Sequence, residues 1–149
     1  MTDDPGQPES LAQILVSDRQ TLPVDEAGLV ELARTTLLGE GLRAVELSVS
    51  FVDDAEMEEL HVRYLNEAGP TDVLSFPLDE EEHHGVRMLG DVVMAPAVAA
   101  RNNPQAPAAE LRLLLVHGIL HVLGYDHEDA DERAAMWARQ ERYSGVRTP

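Results

Sequence analysis

Cysteine and lysine are both missing from the chain, aromatic residues make up only 4% of it, and no hydrophobic run approaches the length of a membrane span. Each absence excludes something. Without cysteine there are no disulfides, zinc ribbons or thiol nucleophiles, so any metal must be held by nitrogen and oxygen, and a reducing cytoplasm is the expected compartment. The acidic start, Met1-Thr2-Asp3-Asp4-Pro5, has neither the basic nor the apolar region of a signal peptide. With no stretch of about 20 apolar residues, membrane insertion is not expected. Since lysine is absent, all 11 basic residues are arginine, and they face 28 acidic ones for a net charge of −17. A field of that sign repels phosphate backbones and argues against a non-specific nucleic-acid coat, yet leaves room for a local arginine cluster beside a metal. The scarcity of aromatics leaves Leu, Val, Ala and Met to build the core. At 149 residues and 44% hydrophobic content, one domain with one core is expected.

Residues 1–10 combine Pro5, Gly6 and Pro8 with polar residues and no period, which predicts a tail without regular structure ahead of a single domain over 11–149. Ala12 to Ser17 reads as a strand, and Asp25 to Leu38 as a helix stopped by Gly39 and Gly41. Beyond Arg43, Val45, Leu47, Val49 and Phe51 alternate with Glu46, Ser48 and Ser50, the period of a half-buried strand. Asp53 with Glu56 three residues later caps a second helix carrying Met57, Leu60, His61 and Tyr64. Thr71 to Pro77 reads as a turn entering a short strand that Pro77 ends, and Asp79 to His84 as an exposed acidic loop whose role is solvation. Leu89 to Met94 reads as a strand ended by Pro96, and the region from Asn102 to Pro107 as connector. Glu110 to Leu123 is too apolar all round for a surface helix, so it should run through the centre, with Gly124 as its left-handed cap. A last amphipathic helix is expected from Asp129 to Tyr143. Four strands and four helices in irregular alternation predict an α+β domain with one mixed, about four-stranded sheet.

The central helix carries the chemistry. His117 and His121 stand four residues apart, on one helix face about one turn from each other, so their imidazoles can converge on one ion. Gly124 then turns the chain through a conformation other residues resist, which lets His127 return as a third ligand. Three imidazoles with a fourth position open make the pattern of one catalytic metal ion with a bound water, zinc first, with iron, copper and nickel as alternatives that imidazole also suits. The same spacing occurs in the metzincin signature H-E-x-x-H-x-x-G-x-x-H, but Gly118 stands where that signature has its catalytic glutamate. A peptidase of that mechanism loses its general base here.

These residues, together with Pro70-Thr71-Asp72-Val73-Leu74-Ser75-Phe76-Pro77 and Leu89-Gly90-Asp91-Val92-Val93, resemble the YbeY family of single-domain, metal-dependent endoribonucleases implicated in rRNA maturation and ribosome quality control. The resemblance covers about residues 12 to 143. It implies a zincin-like metal helix, zinc held by His117, His121 and His127, and Thr71 to Phe76 and Asp91 beside the metal cleft. It further implies rRNA as substrate, and ribosomal proteins or a GTPase as partners, with no membrane and no DNA expected. Many members carry an arginine after the tyrosine that corresponds to Tyr64, where this chain has Leu65. Arg63, two positions earlier, falls on a different helix face. Candidates for catalytic roles are Arg63, Asp91 and Asp126, the two aspartates equally as orienters of a ligand histidine. His61 reads as a core or cleft-lining residue and His83 and His84 as solvated. A zinc hydrolase acting on a small molecule or peptide, and a zinc-stabilised ribosome-associated binding protein, are the rival readings. An arginine cluster near the metal, drawn from Arg63, Arg87, Arg101 and Arg112, would favour phosphate chemistry.

Overall fold

The computed structural model describes residues 12–65, 71–83, 85–125 and 129–146, the side chains of 79–83 excepted. The predicted tail over 1–10 lies outside the described residues. The elements follow in the order β1 (Gln13–Arg19), α1 (Glu26–Gly39), β2 (Val45–Val52), α2 (Asp54–Leu65), β3 (Val73–His83), β4 (Val86–Met94), α3 (Pro96–Asn102), α4 (Pro107–Val122) and α5 (Ala130–Ser144). The four strands form one sheet in the order β1-β2-β4-β3. β1 and β4 both run parallel to β2, whereas β3 pairs antiparallel with β4, so the sheet is mixed as the sequence predicts.

Alternation fixes which side each helix covers. Leu47, Val49, Phe51, Val92 and Met94 point to one face, where they form a large core with Leu29, Ala33 and Leu37 of α1 and with Leu111, Leu114, Leu115 and Ile119 of α4. Val52, Leu74 and Val93 point to the other face and meet Met57 of α2 and Val98 of α3. Val116 and Leu120 close a third cluster with Met136 of α5. With apolar residues packed on the sheet side and on the α5 side, α4 runs through the centre of the molecule, as a helix apolar nearly all round must. Caps set the starts of the helices. Asp25 accepts from the Gly28 amide at 3.1 Å, Asp53 from that of Glu56 at 2.8 Å and Asp129 from that of Asp131 at 2.7 Å.

Three expectations are corrected. Residues 79–83 are not a loop: the backbone pairs Glu81 with Met88, Glu82 with Arg87 and His83 with Val86, extending β3 as one arm of a long hairpin. Pairing with β4 satisfies the backbone whatever the charge on the side chains, and this overrides the low strand propensity of an acidic run. His84, at the end of the predicted loop, lies outside the described residues. Pro77 does not end the strand. It sits within β3 at a register shift, which an edge strand tolerates because no outer neighbour needs its missing N–H. The described residues hold five helices and not four, because Pro96 stands at the first turn of α3, where its missing N–H costs nothing, and Pro107 opens α4 in the same way. No helix among the described residues is long and apolar enough to cross a membrane.

Candidate metal centre

Each helical residue turns the direction of its side chain by about 100°, and the four flanks of α4 can be assigned in that way. Gly118 meets the sheet: a Cβ there would lie 2.6 Å from Val92 Cγ1, 3.2 Å from Val73 Cγ2 and 3.3 Å from Ser75 Oγ. Leu115 and Ile119 join the core shared with α1, and Val116 and Leu120 meet α5. The remaining flank carries His117 and His121, both half-buried. Because α1 packs over β1 while α4 packs over β3 and β4, this flank looks away from α1, above the free edge of β3. Position 118 thus explains the missing glutamate. Val92 is buried and β-branched, so any side chain at 118 would collide with the sheet instead of turning toward the histidines.

The two imidazoles stand edge to face with centroids 4.5 Å apart, neighbours as i, i+4 spacing requires. Gln140 on α5, 3% exposed, accepts a hydrogen bond through Oε1 from His117 Nδ1 at 2.5 Å. An amide oxygen only accepts, so the proton lies on Nδ1 and the ring's lone pair on Nε2, the tautomer a metal ligand of this kind uses. The donor set therefore fits an imidazole-held zinc. Among the described residues no group of three or more His, Cys, Asp or Glu side chains is placed to hold an ion. His127, the third predicted ligand, and Asp126 lie outside the described residues.

Gly124 adopts φ 100°, the left-handed turn expected after α4. The next residue is clamped. The Tyr125 hydroxyl donates to Glu40 Oε1 at 2.6 Å, Tyr143 donates to Glu40 Oε2 at 2.5 Å, and the Arg139 guanidinium donates to Oε1 at 3.3 Å while lying 5.1 Å from the Tyr125 ring centroid. Burial pushes the Glu40 carboxyl up, but the three donors together hold it below its usual value. Burial, with the Glu40 contact added, pushes the Tyr143 hydroxyl up to about 12. A lowered carboxyl contributes stability above its ordinary pKa of about 4.3 and loses it as pH falls through the lowered value. A raised tyrosine contributes fully below about 10 and loses its share as pH rises toward the raised value. Glu40→Gln should lower stability by about 1–3 kcal/mol near neutral pH. The gap between the melting temperatures of the two proteins should narrow at both pH extremes, and a gap independent of pH would contradict this account.

The other sequence candidates are dispersed. Asp91 lies on the sheet face opposite α4, beside Val93 and next to Phe76. Of the segment 71–76, Ser75 reaches α4, donating to the Gly118 carbonyl at 2.9 Å, while Asp72 lies by Asn102 at 3.3 Å. Arg63 pairs with Glu59 at 2.9 Å on the exposed side of α2, and Leu65 ends that helix 52% exposed. Arg101 pairs with Asp54 at 2.8 Å, and Arg112 donates to the Ser144 carbonyl at 2.6 Å. Arg87 lines a polar depression with Glu40, Gly124 and Tyr125, beside the turn that follows α4. His61 is half-buried on α2. Sequence reasoning missed Gln140 and Glu40. The signal for Gln140 was its place four residues from Met136 and from Ser144, all three on the buried face of α5.

The family model described as Endoribonuclease YbeY matches residues 16–145. A protein of Thermobifida fusca named Endoribonuclease YbeY is 46% identical over 139 residues, covering 84% of this chain and 87% of its own length. A protein of Streptomyces coelicolor with the same name is 43% identical over 138 residues, 84% of each chain. The solution structure of a Thermotoga maritima protein superposes with a TM-score of 0.60 at 28% identity, covering 89% of this chain and 87% of that one.

Proposed function

The chain belongs to the endoribonuclease YbeY family, and from that membership we propose that it is a zinc-dependent endoribonuclease, cutting single-stranded rRNA in the cytoplasm during rRNA maturation and ribosome quality control. The observation that carries the metal reading is the pair His117 and His121, edge to face at 4.5 Å, with His117 held by the buried Gln140. His127 is the third ligand in this reading. A zinc ion so held supplies a Lewis acid that polarises a phosphoryl oxygen or lowers the pKa of a water. Position 118 has no room for a carboxylate, so the peptidase route through a glutamate at that position is closed, which favours RNA over a peptide as substrate. RNA also brings a nucleophile of its own, the 2′-hydroxyl, and needs less from the protein.

The net charge of −17 means that substrate is not gathered by a general basic field. Binding then rests on local contacts and on partners, for which ribosomal proteins or a GTPase are the candidates. The test is incubation of the purified, zinc-loaded protein with single-stranded and duplex rRNA fragments, a small phosphodiester and a peptide library. Internal cleavage of single-stranded rRNA, abolished by chelation and restored by zinc, is expected. Turnover of the peptides or the small diester without RNA cleavage would overturn the reading.

A further inference from the structure

The sheet face away from α4 carries a groove of about 360 Å³ lined by Arg19, Ser50, Leu60, Tyr64, Phe76 and Asp91. Its aromatic content is unusual for this chain, which has three tyrosines and two phenylalanines in all. Tyr64 is 57% exposed, so core packing does not account for it, and it stands edge to face with Phe76 with centroids 5.2 Å apart. Phe76 and Asp91 are register partners across β3 and β4, which sets an aromatic ring and a carboxylate side by side on one face. The guanidinium of Arg19 is held by both carboxylate oxygens of Glu56, at 2.6 to 3.1 Å, and by the Ser17 hydroxyl at 2.7 Å. Its charge is thereby compensated.

A groove with an aromatic wall, a carboxylate and no net positive charge suits the base of a nucleotide and not its phosphate. Unpaired bases are bound in this way, stacked on aromatic rings and hydrogen-bonded along the Watson–Crick edge. A carboxylate only accepts, so it selects an edge made of donors, and guanine alone offers two adjacent ones, N1–H and the 2-amino group. The groove lies across β3 from the flank that carries His117. β3 is the edge strand, and its consecutive residues Ser75 and Phe76 face opposite sides, Ser75 bonding to Gly118 beside His117 and Phe76 lining the groove. A single strand whose phosphate lies by the histidines has only to round that edge for a neighbouring base to enter.

We propose that this groove is a base-binding subsite in which an unpaired guanine of the RNA stacks on Tyr64 and Phe76 and donates to Asp91. The inference rests on the RNA-cleaving reading above. The test uses full-length protein and fluorescein-labelled oligouridine RNAs carrying one internal guanosine, adenosine or abasic site. Binding is read by anisotropy in chelator, and cleavage of the same RNAs is read after zinc is restored. The guanosine RNA should bind about tenfold more tightly than the abasic one, with Tyr64→Ala removing that advantage and Tyr64→Phe retaining it. Asp91→Asn should keep the stacking advantage and lose the preference for guanosine over adenosine, a change that a merely structural role for Asp91 would not produce. If RNA is cleaved but Tyr64→Ala binds all three RNAs as the wild type does, or Asp91→Asn leaves the base preference unchanged, the subsite is refuted while the nuclease reading stands. If the zinc-loaded wild type cleaves none of the RNAs, the nuclease reading fails and the subsite with it.

Discussion

His117→Ala and His121→Ala should each lower RNA cleavage by about 10³-fold or more and leave the purified protein without stoichiometric zinc. Lewis-acid stabilisation of a developing phosphoryl charge amounts to several kcal/mol, and each 1.36 kcal/mol is a factor of ten in rate. The two variants should fail alike, since residues that hold one ion act as a unit. Neither change should unfold the domain. The histidines are half-buried and belong to none of the hydrophobic clusters, and alanine favours the helix. Zinc content per chain, initial rates and circular dichroism on the same preparations decide the matter. Full zinc occupancy in both variants would remove the ligand assignment, and full cleavage by a zinc-free variant would remove the metal from the reaction. Arg63→Ala is the useful contrast. Exposed and paired with Glu59, it should change the rate only slightly unless it serves in place of the arginine missing at Leu65.

The parts of this fold legible in the sequence are those where periodicity and burial agree. Val45 to Phe51 alternate cleanly because β2 lies inside the sheet with helices on both faces, and α4 reads as central because both its sheet side and its α5 side are apolar. Legibility fails where pairing overrides composition. Glu81, Glu82 and His83, in the acidic run, pair with β4 through the backbone, which carries no mark of its partner in the side chains. It fails again at α3, seven residues beginning at a proline, where the same residue that signals a break also starts a helix. For the site, local spacing disclosed His117 and His121 because both lie on one helix. Gln140 and Glu40 come from α5 and the end of α1, and nothing local to α4 announces them. The side on which Asp91 lies was open to inference from strand alternation alone, since Val92 is the apolar neighbour that faces α4.

Gln140→Met should weaken zinc binding by about 10–100-fold, the usual effect of removing the group that orients a ligand histidine. The Gln140 amide oxygen fixes the proton of His117 on Nδ1 and with it the direction of Nε2. Methionine fills similar volume but accepts poorly, which leaves that N–H short of a partner in a half-buried place and lowers stability by about 1–3 kcal/mol. Cleavage should recover substantially when zinc is raised to saturate the variant, because the ligands themselves remain. Gln140→Glu supplies a stronger acceptor at the same position and should hold zinc at least as well as the wild type. A competing chelator titration gives the affinities, and thermal melts the stabilities. Met136, fully buried on the same helix face, separates positioning from packing. Met136→Ala should lower stability by about 2–5 kcal/mol through the cavity it opens beside Val116 and Leu120. Its side chain is neither a ligand nor a hydrogen-bond partner of His117, so its zinc affinity, measured below its melting temperature, should match that of the wild type. If Met136→Ala and Gln140→Met weaken zinc to the same degree, general loosening of α5 explains both, and Gln140 has no orienting role.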